Sequence, residues 1–311
     1  MISRDRLYSV RVISEQLLEG FASVAHSPDP DLAVAALRIA RVAYPRLDEG
    51  AYLEQLDDLG REAARRVSDA VAHPDEVPAG VDPLVFAQIA ALNEYLFTDL
   101  RFVGNRVQYE DPRNSFLNEV LDRRTGIPIT LALVYKEVAK RAGVVVNGVN
   151  FPGHFLLRRP ATPGSRYTRD LIIDAQNGGA LLTEGMCREL LHRQAGDDAV
   201  WNQDLLAHAS TRQILVRMLV NLKRSYVRMH SFPQALDITD LLLAIDPLSA
   251  NELRDRGLLA YHLNDFPAAL RDLQRYLSLL PKGEREQDDR DEQNEIWEHV
   301  KTLTRRVAAL N

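Results

Sequence analysis

Apolar side chains recur at helical spacing over most of the first hundred residues. Residues 31–44 are rich in the helix formers Ala and Leu, and Pro45 ends this run. Residues 51–67 carry an apolar stripe on one helix face, and residues 84–100 continue the helical pattern. The pattern therefore predicts a helical region over residues 1–100.

Between residues 101 and 196 the pattern changes to a mixture of helices and short strands. A helix is predicted over residues 128–141, because helix-forming residues follow Pro128 and Gly143 can end the helix. Runs rich in β-branched and aromatic side chains predict three strands, at residues 144–149, 155–158 and 171–174. This mixture predicts an α+β core.

The chain from about residue 205 onward is helical and repeats itself at an interval of 34 residues. The positions that match their counterparts one interval later are Phe232, Pro233, Ala235, Leu236, Leu243 and Pro247. This period is typical of helix-turn-helix repeats that stack into protein-binding solenoids. We predict two repeats within residues 205–281. A capping helix is predicted over 285–311, because an end repeat has no neighbour to bury its apolar face.

Composition and charge narrow the class of protein. The chain is 46% hydrophobic and 26% charged, which is ordinary for soluble globular proteins. A net charge of -6 gives no support for nucleic acid or an anionic membrane as partner. The N-terminal residues lack the apolar core of a signal peptide, and no apolar run is long enough to span a membrane. We therefore expect a cytoplasmic protein.

The sequence gives little support for a metal-binding or cofactor-binding site. Cys187 is the single cysteine, which excludes an internal disulfide and a site built from several thiolates. The histidines are scattered without the spacing of metal ligands. Glycine-rich phosphate-binding patterns are absent. The sequence predicts neither a metal nor a cofactor.

A series of motifs between residues 93 and 179 resembles one known family. The motifs are Asn93, Leu96-Phe97, residues 109–121, residues 124–131, Pro152-Gly-His-Phe155, Asp174 and Asn177-Gly-Gly179. In this order they resemble the bacterial transglutaminase-like family of the second core type, the Sir-B invasion-regulator type. Members of that family often carry C-terminal tetratricopeptide repeats. The resemblance implies a papain-like α+β core with a helical N-terminal region, followed by an all-α repeat tail.

The resemblance also implies a three-part catalytic arrangement: a cysteine at a helix start, a histidine base and an orienting aspartate. His154 and Asp174 match the histidine and the aspartate, and we expect them to form a hydrogen bond. Aligning Gly143 with the glycine that ends the family's equivalent helix places Pro128 at the cysteine position. Proline suits the first turn of a helix but carries no nucleophile. We therefore interpret His154 and Asp174 as a remnant pair in a degenerate site.

Two other side chains are candidate nucleophiles. Thr130 lies close to Pro128, but an internal threonine needs strong activation. Cys187 lies on a predicted helix after the Asp174 strand. It is either a small apolar residue packed in that helix or a relocated nucleophile that faces His154. Whether the protein is an enzyme stays open, and the absence of a cysteine at the expected position favours a non-catalytic role.

Polar residues near the start of helix 128–141 are candidate ligand contacts. Asn114, Asn118 and Glu119 could bind a peptide in the same cleft, or they could serve as turn and capping residues. Arg124 could recognise a carboxylate, or it could lie on a solvated surface. Thr130 belongs to the same candidate set.

In the repeats, several side chains could face a groove and bind a peptide carboxylate: Asn221, Lys223, Arg224, Arg254 and Arg256. The predicted function is protein or peptide binding by a scaffold protein. One alternative is an amidase or peptidase that uses His154 and Asp174 with an unconventional nucleophile. Another is a structural assembly factor without a ligand-binding cleft. The sequence does not predict an oligomeric state.

Overall fold

The computed structural model describes residues 13–74, 77, 80–280 and 287–310. These residues form helices together with two small sheets, which confirms the predicted α+β class. The contacts divide the described residues into two compact units. The larger unit is Asp29–Met218, and the smaller unit joins the residues up to Pro28 with those from Leu219 onward.

The elements are numbered in chain order. The first helices are α1 (Glu15–Ala25), α2 (Leu32–Ala40), α3 (Glu49–Ala72) and α4 (Pro83–Asn93), followed by a π-helical turn at Glu94–Asp99. The central elements are β1 (Val103–Gly104), α5 (Leu117–Arg123), β2 (Thr125–Gly126), α6 (Pro128–Arg141), β3 (Asn147–Val149), β4 (Leu156–Arg159), β5 (Leu171–Asp174), β6 (Ala180–Leu182) and α7 (Glu184–Ala195). The last helices are α8 (Thr211–Arg228), α9 (Phe232–Ile245), α10 (Ala250–His262), α11 (Phe266–Leu279) and α12 (Gln287–Leu310).

Aspartate side chains fix the starts of the first helices of the larger unit. Asp31 accepts the backbone N–H of Val34 at 2.9 Å, and Asp82 accepts that of Leu84 at 3.0 Å. Asp48 caps α3 in the same way. Such caps satisfy N–H groups that have no partner within the helix, and each contributes about 1 kcal/mol to stability.

Helix α6 lies at the centre of the larger unit. It packs against α3 on one side and against β3, β4 and the turn at residues 175–177 on the other. Its side chains from Pro128 to Tyr135 are all buried. A Cβ added at Gly60 of α3 would lie only 2.3 Å from Cβ of Arg141, so the two helices meet closely there. A helix that is apolar on all sides is expected at the interior of a fold.

The main sheet is antiparallel, with the strand order β3-β4-β5-β6. Leu157 of β4 pairs with Ile173 of β5. The predicted strands correspond to β3, β4 and β5, whereas β6 and the two-residue strands β1 and β2 were not predicted. Strands β1 and β2 pair in parallel through Val103 with Thr125 and Gly104 with Gly126. A strand of two residues is too short to show an alternating pattern.

In the smaller unit, the repeat positions occupy equivalent places. Pro233 and Pro267 each lie in the first turn of a helix, α9 and α11 respectively. Ala235 and Ala269 are fully buried. Helices α9, α10, α11 and α12 pack in succession. Pro281 and the start of the capping helix predicted at residue 285 lie outside the described residues.

A buried ion cluster joins three helices of the smaller unit. The guanidinium of Arg256 on α10 donates to both carboxylate oxygens of Asp272 on α11, at 2.6 and 2.9 Å. It also donates to Asp240 on α9 at 2.7 Å. Burial alone would lower the pKa of Arg256, but the hydrogen bonds to Asp272 and Asp240 outweigh it and raise that pKa. Arg256 therefore links the helices of this unit. Its guanidinium is already paired with two aspartates, so it is not free to bind a peptide carboxylate as predicted.

Helix α1 packs along α9 and belongs to the smaller unit. This differs from the predicted grouping of residues 1–100 with the core. Leu17, Phe21 and Ala25 are buried, and the backbone N–H of Ile13 donates to Asp237 at 3.1 Å. Periodicity in the sequence shows which face of a helix is apolar but not which partner covers it. Two repeats alone leave apolar faces uncovered at both ends, and α1 and α12 cover α9 and α11.

Replacing Phe21 with Ala is expected to destabilise the smaller unit by about 3–5 kcal/mol, because it removes a fully buried ring. The two tryptophans separate the units, since Trp297 lies in the smaller one and Trp201 in the larger one. Urea unfolding is followed by Trp297 fluorescence in a Trp201→Phe background. Leu248→Ala, at a position 63% exposed, is the control. A shift confined to the Trp201 signal, read in a Trp297→Phe background, would contradict the assignment of α1.

Candidate functional site

His154 and Asp174 meet at one end of the main sheet. The turn before β4 is closed by a hydrogen bond from the His154 N–H to the Phe151 carbonyl at 3.1 Å, and Gly153 takes a φ of 64°. Asp174 ends β5, the neighbour of β4. Nε2 of His154 lies 3.0 Å from Oδ1 of Asp174, and both side chains are buried. The hydrogen bond expected from the sequence is present.

The Asp174 carboxylate is held from several directions. Its Oδ1 also accepts the backbone N–H groups of Gln176 and Asn177, at 3.0 and 3.3 Å. Its Oδ2 accepts the side-chain amide of Asn177 at 2.6 Å. Burial raises the pKa of Asp174, but the hydrogen bonds from His154 and Asn177 outweigh burial, so the pKa is lowered. The carboxylate therefore stays ionised at neutral pH and orients the imidazole.

Because Nε2 of His154 donates to Asp174, Nδ1 is the ring nitrogen that can still contact another group. Among the described residues, no hydrogen bond to Nδ1 of His154 is formed. In a neutral imidazole whose Nε2 carries the proton, Nδ1 is an acceptor. The pair thus presents an oriented base whose second nitrogen can receive a proton or a hydrogen bond from another group.

The start of α6 is joined to the Asp174 turn through β1. Gly104 of β1 pairs with Gly126, which lies two residues before Pro128. On the other side, a Cβ added at Gly104 would lie 2.7 Å from the side chain of Gln176, two residues after Asp174. Helix α6 also contacts the turn at residues 175–177 directly. The fold therefore brings a helix that begins with proline to the turn that holds the aspartate.

Two family models match this chain. A transglutaminase-like superfamily model matches residues 50–220, and a tetratricopeptide repeat model matches residues 222–295. The first match covers more than half of the 311 residues. The chain belongs to the transglutaminase-like superfamily. The family resemblance read from the motifs, with its repeat tail, is confirmed.

Proteins similar to this one occur in bacteria and in animals. A UPF0162 protein of Xylella fastidiosa is 38% identical over 275 residues, which cover 87% of this chain and 92% of the relative. A UPF0162 protein of Pseudomonas aeruginosa is 33% identical over 257 residues, 80% of this chain and 85% of the relative. The human F-box only protein 21 is 35% identical over 184 residues, 57% of this chain but 28% of that protein. The similarity to the F-box protein therefore spans a limited part of it.

The side chain of Thr130 caps the start of α6 in the transglutaminase-like core. Its Oγ1 accepts the N–H of Ile127 at 3.1 Å and lies 2.6 Å from the carbonyl oxygen of Asn114, to which it donates. Thr130 is fully buried. Because the hydroxyl proton is directed at a backbone carbonyl, this geometry offers neither an exposed nucleophile nor a ligand contact at Thr130.

Asn114 organises the loop before α5. Its side-chain amide donates to the carbonyl of Gln108 at 2.6 Å, and its carbonyl oxygen accepts from the amide of Asn105 at 3.2 Å. The residue is fully buried. The polar groups of Asn114 are thus used within the fold, which corresponds to the turn role rather than to the predicted peptide contact.

Asn118 and Glu119 lie against a shallow cavity of about 500 Å³. Glu119 accepts the hydroxyl of Tyr44 at 2.8 Å, and the neighbouring Asp122 accepts that of Tyr52 at 2.7 Å. The cavity is lined by Tyr44, Pro45, Arg46, Leu47, Tyr52, Asn118, Glu119 and Asp122. Neither His154 nor Asp174 belongs to this lining. Asn118 and Glu119 therefore line a different cavity, whereas the sequence analysis placed them in the same cleft as the His154–Asp174 pair.

Arg124 ends α5 in the left-handed conformation, with a φ of 54°. Its guanidinium donates to the carbonyl of Leu100 at 3.1 Å, and its own carbonyl accepts the N–H of Val103 at the start of β1. The residue is otherwise exposed. Arg124 thus positions β1, and its predicted contact with a carboxylate stays a prediction.

Cys187 is packed inside the larger unit. It is fully buried on α7 and belongs to an apolar cluster with Phe151, Leu156 and Ile172. Burial, together with the charges of Glu184 and Asp174, raises the pKa of the thiol to about 11. The thiol is therefore protonated at neutral pH, which corresponds to the packed apolar role rather than to a relocated nucleophile.

The family motif Asn177-Gly-Gly179 predicted no separate role for Asn177, yet the side-chain amide of Asn177 donates to Oδ2 of Asp174. The signal was an asparagine three residues after an aspartate at a strand end, a spacing at which side-chain groups close local turns. Among the described residues, no cluster of three or more His, Cys, Asp or Glu side chains could hold a metal ion. No helix in the described part of the chain is long and apolar enough to cross a membrane.

Replacing Asp174 with Asn is expected to lower the free energy of unfolding at pH 7 by about 1–3 kcal/mol, because buried donors lose a charged acceptor. The folded-state pKa of Asp174 lies below its ordinary value of 3.8. The carboxylate therefore stabilises the fold above that pH, and this contribution is lost as the pH falls through the lowered pKa.

The measurement is denaturant unfolding between pH 7 and pH 3, followed by Trp201 fluorescence in a Trp297→Phe background. Asp197→Asn, which changes an exposed carboxyl of the same unit, is the matched control. The difference between wild type and Asp174→Asn should shrink on acidification, and a difference that grows would contradict the assignment.

Proposed function

We infer that this protein binds a protein or peptide partner and that its transglutaminase-like core is catalytically degenerate. The observation that carries the proposal is Pro128 in the first turn of α6, where the family resemblance puts a cysteine. A cysteine there would have its pKa lowered by the helix N-terminus. Proline brings neither a thiol nor a hydroxyl to that position.

The other candidate nucleophiles support the same proposal. Cys187 is buried with a pKa of about 11, so little thiolate exists at neutral pH. The Thr130 hydroxyl is engaged with a backbone carbonyl. Under this proposal, the His154–Asp174 pair links the turn before β4 to the end of β5 rather than activating an attacking group.

The repeat tail supports a binding role. Tetratricopeptide-type helices stack so that one side of the stack offers a concave surface to other proteins. Here two repeats, covered by α1 and α12, form a compact unit of their own. We propose this unit as the place where the partner binds, with the transglutaminase-like core as the second part of a scaffold.

One observation favours the alternative, an amidase or peptidase with an unconventional nucleophile. His154 is oriented by an ionised Asp174, and no described residue bonds its Nδ1. Such a histidine could take a proton from a bound water. The alternative therefore predicts activity that depends on His154 and not on any cysteine.

Replacing Pro128 with Cys tests the assignment of the vacant nucleophile position. Position 128 is buried, which disfavours the thiolate, whereas the helix start favours it. We expect the helix start to prevail, so that the new thiol has a pKa below about 8.5 and reacts with iodoacetamide at pH 7 several times faster than Cys187, whose burial raises its pKa to about 11. Mass spectrometry of the intact, folded protein identifies the alkylated residue. Cys187 in the wild type is the internal control, and it should stay unlabelled.

The rate at position 128 should also fall in the double variant Pro128→Cys with His154→Ala, because the imidazole no longer stabilises the thiolate. A thiol at position 128 that does not react would contradict the assignment of Pro128 to the nucleophile position. A separate assay measures ammonia release from peptidyl glutamine. If the wild type releases ammonia and His154→Ala does not, the core is a hydrolase and not degenerate.

A further inference from the structure

The smaller unit contains a groove of about 550 Å³ between α8 and α10. Its apolar part is formed by Val220, Val227, Phe232, Leu258 and Leu259. Val227 is 40% exposed, so an apolar side chain of a partner can reach it. All of these residues belong to the smaller unit.

Most of the predicted carboxylate contacts are already neutralised within the unit. Lys223 lies 2.6 Å from Glu252 and 2.6 Å from Asp255. Arg254 also pairs with Asp255, at 2.8 Å. Arg256, as described above, is held between two aspartates. Lys223 and Arg254 therefore line the groove with their charges already paired, and Arg256 does not line it.

Arg224 differs from them. It is exposed and lines the groove, and within the described part of the chain its guanidinium makes no ion pair or hydrogen bond. Its guanidinium can therefore bind a carboxylate through two parallel hydrogen bonds without breaking an existing pair.

The charge of the groove agrees with an acidic partner. Four basic residues line it, Lys223, Arg224, Arg228 and Arg254, against the two carboxylates Glu252 and Asp255. The excess is 4 − 2 = +2, in a chain whose net charge is -6. A local positive potential on an acidic protein attracts acidic segments and disfavours basic ones.

We propose that this groove binds a peptide segment in which an apolar side chain lies next to an Asp or Glu, and that Arg224 determines this specificity. The apolar side chain packs on Val227 and Leu258, and the carboxylate pairs with Arg224. The inference rests on the proposed binding function of the repeats and adds the chemistry of the partner.

The test uses a random peptide library displayed on phage and the full-length protein. Peptides enriched on wild type should combine Asp or Glu with a neighbouring Leu, Ile, Val or Phe. One enriched peptide, labelled with fluorescein, is then titrated by anisotropy. Arg224→Glu should weaken its binding about tenfold to hundredfold, which is the usual range for a hydrogen bond to a charged group.

Two controls separate the role of Arg224 from general charge and folding effects. Arg275→Glu, which changes an exposed arginine of α11 that does not line the groove, should bind the peptide as wild type does. A second peptide with Lys in place of its acidic residue should bind Arg224→Glu better than it binds wild type. This reversal requires a folded groove, so an unfolded variant cannot imitate it.

The outcomes distinguish this inference from the proposed function beneath it. Enriched peptides that lack acidic residues, or that bind Arg224→Glu as tightly as wild type, would overturn the specificity while leaving a binding role for the repeats. Enrichment of acidic peptides whose binding Val227→Asp does not affect would also overturn it. If no peptide is enriched, both the inference and the binding function of the repeats fail.

Discussion

Burial of most of α6 governs the transglutaminase-like core. The helix can lie at the centre because its sequence is apolar around most of its circumference, and because Gly60 lets α3 approach closely. The helix consequently has a fixed position against the turn that follows Asp174. A site whose groups lie on such buried elements keeps its geometry whether or not chemistry still takes place there. The geometry of the His154–Asp174 pair is therefore fixed by the packing of the core.

The hydrogen bonds of the His154–Asp174 pair hold the local fold as well as the histidine ring. Asp174 collects hydrogen bonds from the His154 ring, the Asn177 side chain and two backbone N–H groups. These bonds stabilise the turn between β5 and β6 as much as they orient the imidazole. A substitution there would leave buried donors without an acceptor, which is costly in any fold. The pair thus has a structural role that does not depend on catalysis.

Strong local patterns predicted much of this fold. The bounds of α6 and β5 agree with the predicted ranges, because each shows a clear period and a clear end. The family motifs led to His154 and Asp174. The strands β1 and β2 were not predictable, since two residues carry no period. The contacts of Asn118, Glu119 and Arg256 were also not predictable from the sequence. Their sequence spacing fits a solvated face or a ligand contact, and only distant residues such as Tyr44 and Asp272 decide between them.

The docking of α1 on α9 has a consequence for how the chain is made. The two helices are separated by 232 − 25 = 207 residues. At ordinary rates of translation, α1 therefore leaves the ribosome about 10 to 40 seconds before its partner. Throughout that interval the ring of Phe21 and the side chain of Leu17 have no permanent cover, while the whole transglutaminase-like core is synthesised between them. Helix α1 is thus synthesised before the transglutaminase-like core, yet it can pack in its native place only after that core has been made.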